Sequence, residues 1–187
     1  MVIMTRGVLC MREKSEKGKR GSVFTVVYAA VFAALIAVLT MFPKIPIPGT
    51  AEGYVHLGDT AVYLAACALP LPWAAVSAGV GGAMADLLLG GAAWAPWTFF
   101  IKAAMTLFFT SKKPQLLCRR NAVAPAGALL VNAGGYFVAE WVMYGLGGAI
   151  SAVIWNVAQS GASMAVFLAL AAALDRVELK RRLDRNN

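Results

Sequence analysis

The chain has 187 residues, 60% of them hydrophobic and 14% charged, with a mean hydropathy of +0.69. That balance excludes an ordinary soluble domain of this length, and long apolar runs between short polar ones point to a polytopic helical membrane protein. The net charge of +8 raises nucleic acid as a partner, but its distribution along the chain has a simpler explanation.

The first 21 residues are basic and polar, and disorder is expected to about Gly18. A secretory leader would reach its apolar core sooner and end at a small-residue cleavage site. Ser22 onward therefore reads as a retained first helix. Six helices are predicted in an all-α fold: Ser22–Phe42, Leu57–Leu69, Trp73–Leu89, Ala92–Thr110, Ala122–Gly145 and Gly148–Leu174. The runs are too long and too rich in Ala and Leu for barrel strands. "PKIPIPG" ends the first helix and "PLP" the second, which is short for a hydrocarbon core of ~30 Å. Residues 22–175 form the membrane domain, and 176–187 a basic tail. Cys10, Cys67 and Cys118 are scattered and offer neither a disulfide framework nor a metal-ligand spacing.

Charge sets the expected orientation. Fifteen of the 17 basic residues precede the first helix, join the fourth to the fifth, or follow the sixth. Six spans put all of these on one side, leaving Lys44 on the other and Lys102 inside a span. Both termini are then cytoplasmic, and the high pI reflects topology and anionic lipid headgroups. The Pro43–His56 loop is outside. Tyr54, His56, Asp59, Asp86, Trp94, Trp97, Glu140, Tyr144 and Asn156 fall in the outer half.

Ionisable groups inside a bilayer are costly and usually face the bundle interior. Lys102 needs a carboxylate, and Asp86 or Asp59 can supply it. A Lys102–Asp86 pair tying two helices together is the expected arrangement. The fifth helix carries Asn132, Tyr136, Glu140 and Tyr144 at every fourth position, a polar and aromatic stripe that drifts slowly around its axis. The sixth helix matches it with Asn156, Gln159, Ser160 and Ser163. The two serines suit interhelical hydrogen bonding. A carboxylate and two tyrosines on one face exceed that need and suggest a small-molecule pocket. Trp94 and Trp97 read equally as interfacial anchors and as stacking platforms for a flat ring.

Small residues repeat in the first helix, with Ala29, Ala33 and Ala37 four apart and Ala30 and Ala34 beside them. Such spacing permits close helix approach, within the bundle or against a separate subunit. "SAGVGGAMAD" in the third helix suits internal packing. No catalytic set emerges: His56 is the only histidine, and no HExxH, CxxC pair or phosphate-binding loop is present. No enzyme activity, cofactor or metal is expected.

With "GYVHLGD", "GGAMADLLLG" and "APWTFFIK" beside six short-looped spans and an alanine-spaced first helix, the chain resembles the S components of energy-coupling factor transporters. It is most similar to the branch associated with hydroxymethylpyrimidine, thiamine-precursor or pyridoxine uptake. The resemblance implies a vitamin bound in the outer half under the first outer loop, and a first helix that docks through Ala29, Ala33 and Ala37 on a membrane coupling subunit shared with two ATPases. Tyr54 and His56 would then lie at the lid and contact the ligand. Asp59 would hold the lid at a helix start or accept from the ligand. The remaining alternatives are a stand-alone secondary transporter or channel using Asp86, Lys102 and Glu140, and a ligand-free scaffold. The absence of an evident inverted repeat counts against the former, and the fifth-helix stripe against the latter.

Overall fold

Backbone without water around it must close its hydrogen bonds internally, and the apolar runs of this chain do so as helices. The computed structural model describes residues 23–42, 45–46, 54–178 and 180. The segments 1–22 and 181–187, and most of the Pro43–Gly53 loop, lie outside the described residues, so the expected disordered N-terminus, basic tail and lid tip do too.

Helix α1 spans Val23–Met41. The strand β1, Ile45–Pro46, then pairs antiparallel with β2, Tyr54–Val55. Helix α2 covers Gly58–Ala68, α3 Leu71–Leu88 and α4 Ala95–Met105, the last extended by a 3-10 turn at Thr106–Phe108. The α2–α3 boundary follows from proline: Pro70 is extended at φ −55°, ψ 143°, and the ring of Pro72 occupies the first turn of α3, where its missing N–H costs no bond.

A helical stretch of 58 residues, Arg119–Arg176, completes the described chain. Drawn straight it would measure about 87 Å at 1.5 Å per residue. Yet Asn132 Nδ2 lies 3.0 Å from Ser160 Oγ, so the chain must reverse between them. Gly145 is where it does, with φ 81° and ψ 174°, a backbone region reached almost only by glycine. Two antiparallel helices result, α5 (119–144) and α6 (146–176).

Among the described residues three helices are long and apolar enough to cross a membrane: Val23–Met41, Leu71–Leu88 and Arg119–Arg176. Helices α2 and α4 have 11 residues each, fewer than the ~20 that a crossing helix needs. The predicted fourth helix is cut at both ends. Its first residues form a turn ahead of Trp94, and Phe109 turns extended at φ −87°, ψ 172°.

Helix α3 sits between α1 and α4 because glycines face both. A Cβ on Gly81 would stand 2.6 Å from the Ala33 carbonyl oxygen, and one on Gly82 would stand 2.7 Å from Thr98 Cγ2. Ser77 adds a hydrogen bond from its hydroxyl to the Ala29 carbonyl. These contacts correct the expected docking face. Ala29 and Ala37 are buried and Ala33 lies against Gly81, so this alanine stripe packs against α3 of the same chain. The outward face of α1 carries Val27, Ala30, Val31, Ala34 and Val38 instead.

Below the middle of the bundle, Tyr63 stacks on Phe109 at 5.1 Å and meets Phe167 edge-on at 5.6 Å. At the end opposite Gly145 the chain is clasped. The Asp175 carboxylate accepts from the Leu116 and Leu117 amides, and the Lys180 ammonium donates to the carbonyls of Cys67, Ser111 and Lys113. The Gly145 end is built differently, from the start of α2, the end of α3, the start of α4 and the α5–α6 hairpin.

Candidate functional site

Helices α4 and α5 face each other with matched stripes. On α4, Trp94, Thr98 and Lys102 stand four residues apart and share one side of the helix. On α5 the facing side carries Asn132, Tyr136 and Tyr144. Antiparallel register brings them together in order. Lys102 Nζ donates to Asn132 Oδ1 at 2.9 Å, Thr98 Oγ1 lies 3.0 Å from the Tyr136 hydroxyl, and the Trp94 ring touches those of Tyr136 (6.1 Å between centroids) and Tyr144 (5.8 Å).

The floor is an ion pair. Asp59, in the first turn of α2, takes Lys102 Nζ on Oδ1 at 2.5 Å and Gln159 Nε2 of α6 on Oδ2 at 3.4 Å. Lys102 is 2% exposed and Asp59 fully buried. The Lys102 partner is thus Asp59, not Asp86. The expected Lys102–Asp86 pair is replaced because the four-residue step on α4 turns the ammonium toward α2 and α5. An ammonium has three protons. Asp59 and Asn132 take two, and the Tyr136 ring lies 5.2 Å below the nitrogen, so the cation is saturated. Asn132 passes the network on by donating to Ser160 Oγ of α6. Ser160 makes the interhelical hydrogen bond expected of it, joining α6 to α5 beside this floor. Asn132, Gln159 and Ser160 are all buried.

His56 closes the top of α2. Its Nδ1 accepts the Gly58 amide at 3.0 Å, satisfying one of the four amides that a helix start leaves open. This bond requires a bare Nδ1, hence the tautomer with the proton on Nε2. Burial holds the imidazole pKa down at about 4, against the pull of the Asp59 carboxylate, with a smaller push from the Lys102 ammonium. Gly58 is needed here, since a Cβ would run into the Thr40 side chain of α1. The side chain of Tyr54 lies outside the described residues.

Glu140 and Asn156 lie close to each other across the α5–α6 hairpin. Trp97, like Tyr136, is partly buried against the apolar core. Asp86, at the end of α3, lies close to the Thr98 side chain. Thr98 was not singled out in the sequence, although its place midway between Trp94 and Lys102 was a readable signal. Asp59, Lys102, Asn132, Gln159 and Ser160 thus form one buried network that joins α2, α4, α5 and α6.

The arrangement suits binding rather than chemistry. A charge-neutral, hydrogen-bonded floor lies beneath a wall of three aromatic rings, with two carboxylates at the side. Among the described residues no group of three metal-ligating side chains forms.

Comparison with known proteins agrees. Residues 20–176 match the model of the family described as ECF-type riboflavin transporter, S component. A thiamine precursor transporter, HmpT, of Lactococcus lactis subsp. cremoris (strain MG1363) is 31% identical over 132 residues, 70% of this chain and 75% of the relative. An uncharacterized protein of the gap 3' region in Pyrococcus woesei is 30% identical over 127 residues, 67% of this chain and 84% of that protein. The chain belongs to the S component family of ECF-type transporters.

Proposed function

We propose that this protein captures a small vitamin or vitamin precursor at the Gly145 end of its bundle and delivers it inward with a membrane coupling subunit and two ATPases. The observation that carries the reading is the register of the two facing stripes. Trp94, Thr98 and Lys102 meet Asn132, Tyr136 and Tyr144 around one polar floor, more than helix packing requires. HmpT is by name a thiamine precursor transporter, which favours a hydroxymethylpyrimidine, thiamine-related or pyridoxine-like ligand. The family model's riboflavin is the competing choice.

The positive-inside rule supports a multi-pass subunit of a prokaryotic cell membrane with both termini cytoplasmic. The Gly145 end then faces outward. Helices α2 and α4 lie within the bundle thickness and reach the interfaces through their flanking turns. Docking on the coupling subunit uses the outward Ala30 and Ala34, not the buried stripe.

The test is thermal unfolding of the purified protein in detergent, with single vitamins and precursors added. A ligand of the folded state adds ~2.7 kcal/mol of stability at a hundredfold excess over its dissociation constant. The expected result is a large shift with one small heterocycle, lost in Tyr136→Ala. No shift with any vitamin would overturn the reading. So would uptake by this chain alone in proteoliposomes, which would instead mark a secondary transporter.

A further inference from the structure

At the Gly145 end, the carboxylate of Asp86 is incompletely bonded. Its Oδ2 is buried and has no hydrogen-bond partner among the described residues. A buried acceptor without a donor is costly and rare in native structures, so something outside this chain is expected to complete it. The Thr98 hydroxyl, which meets the Tyr136 hydroxyl at 3.0 Å, stands close to the same carboxylate. Asp86 also adjoins the aromatic wall. A Cβ on Gly91 would stand 3.9 Å from Asp86 Cβ and 3.6 Å from Trp94 Cδ1, which places the two side chains on either flank of one small residue.

The charges nearby set what can approach. Between positions 45 and 111, and again between 121 and 175, Lys102 is the only lysine or arginine in the sequence. That ammonium is consumed by Asp59, Asn132 and the Tyr136 ring. Asp86 and Glu140 remain as carboxylates without an ion-pair partner among the described residues, so the wall of the site is acidic. Such a wall attracts N–H donors and repels phosphate.

Resting on the reading of this chain as a ligand-binding subunit, we propose that Asp86 is a specificity-determining residue. Its free oxygen accepts an N–H from a flat heterocycle that bears an exocyclic amine beside a ring nitrogen, carries no phosphate and lies against Trp94. An oxo group at the amine's position would set two acceptors against each other and be rejected.

Calorimetric titration of the purified full chain tests this with a matched set: 4-amino-5-hydroxymethyl-2-methylpyrimidine, its 4-oxo counterpart and the phosphate ester of the amine. The wild type is expected to bind the amine at least tenfold more tightly than either analogue. Asp86→Asn is expected to lose at least tenfold toward the amine and to narrow the amine-to-oxo gap, while unfolding at the wild-type temperature without ligand. Equal binding of amine and oxo compounds by the wild type overturns the proposal even if the variant does not fold. Where another vitamin proves to be the ligand, unchanged affinity in Asp86→Asn overturns this proposal alone and leaves the binding-subunit reading standing. Binding of no vitamin at all is the failure of that underlying reading.

Discussion

Lys102 carries the largest electrostatic stake in the molecule. It is buried, and so is its counterion Asp59. Removing one partner strands the other's charge, whereas removing both removes the desolvation penalty as well. Lys102→Ala is therefore expected to cost about 3–5 kcal/mol in thermal or denaturant unfolding. The paired change Lys102→Met with Asp59→Asn should recover most of that. Equal losses in the single and double variants would show that the pair contributes little. His56 makes a second residue-scale prediction, in pH. Its folded pKa of about 4 lies below the ~6.5 of a free imidazole. From pH 6.5 downward the unfolded chain takes up a proton that the folded chain refuses. Stability therefore falls as the pH drops through this window, by an amount on the order of 3 kcal/mol, and is flat above it. Protonation would also place a hydrogen on Nδ1, where the Gly58 amide now donates. His56→Gln should flatten the profile between pH 4 and 6.5, and an unchanged slope would assign the loss to other groups.

At the scale of elements, periodicity was the most readable signal. The α5 stripe of Asn132, Tyr136, Glu140 and Tyr144 stood out because polar residues at every fourth position of an apolar helix have few other uses. Its partner on α4 was harder to see, since Thr98 is small and Trp94 also suits an interface. The alanine stripe of α1 shows the limit of such reading. Ala29–Ala33–Ala37 and Ala30–Ala34 lie about 100° apart on the same helix, and spacing alone assigns neither inward. Packing against Ser77 and Gly81 of α3 decides it. The α5–α6 reversal rests on Gly145. Gly145→Ala forces a side chain into a backbone region that excludes it and should cost about 1–3 kcal/mol. Gly147→Ala, where nothing stands within 4 Å of the new methyl, should be neutral or gain up to about 1 kcal/mol. Equal effects at the two positions would mean that the hairpin does not depend on the Gly145 conformation.

For the whole molecule, the proposed function puts ligand capture and partner docking on different surfaces. The site lies inside α2, α4, α5 and α6, while Ala30 and Ala34 face away from it on α1. Ala30→Leu with Ala34→Leu is therefore expected to leave the ligand affinity of the isolated protein unchanged. Uptake by cells holding the coupling subunit and ATPases should fall at least tenfold. Loss of affinity together with uptake would mean that the α1 surface supports the site itself. The opposite end has a different stake, since Lys180 joins the end of α2 to the loop ahead of α5 through three carbonyls. Nothing in the residues near Lys180 announced that role. It depends on where the backbone of distant segments happens to end.

The sequence by itself determined the helical membrane class, the approximate helix positions, the polar α5 stripe and the family. Each of these depends on local composition, on a period along one helix, or on motifs read in order. Tertiary structure decided which carboxylate Lys102 pairs with, which alanine face of α1 is buried, and that one Asp86 oxygen is buried without a partner among the described residues. These are questions of rotation about a helix axis and of distance between segments far apart in the chain. A four-residue spacing defines a face, but only the neighbouring helices settle what that face meets.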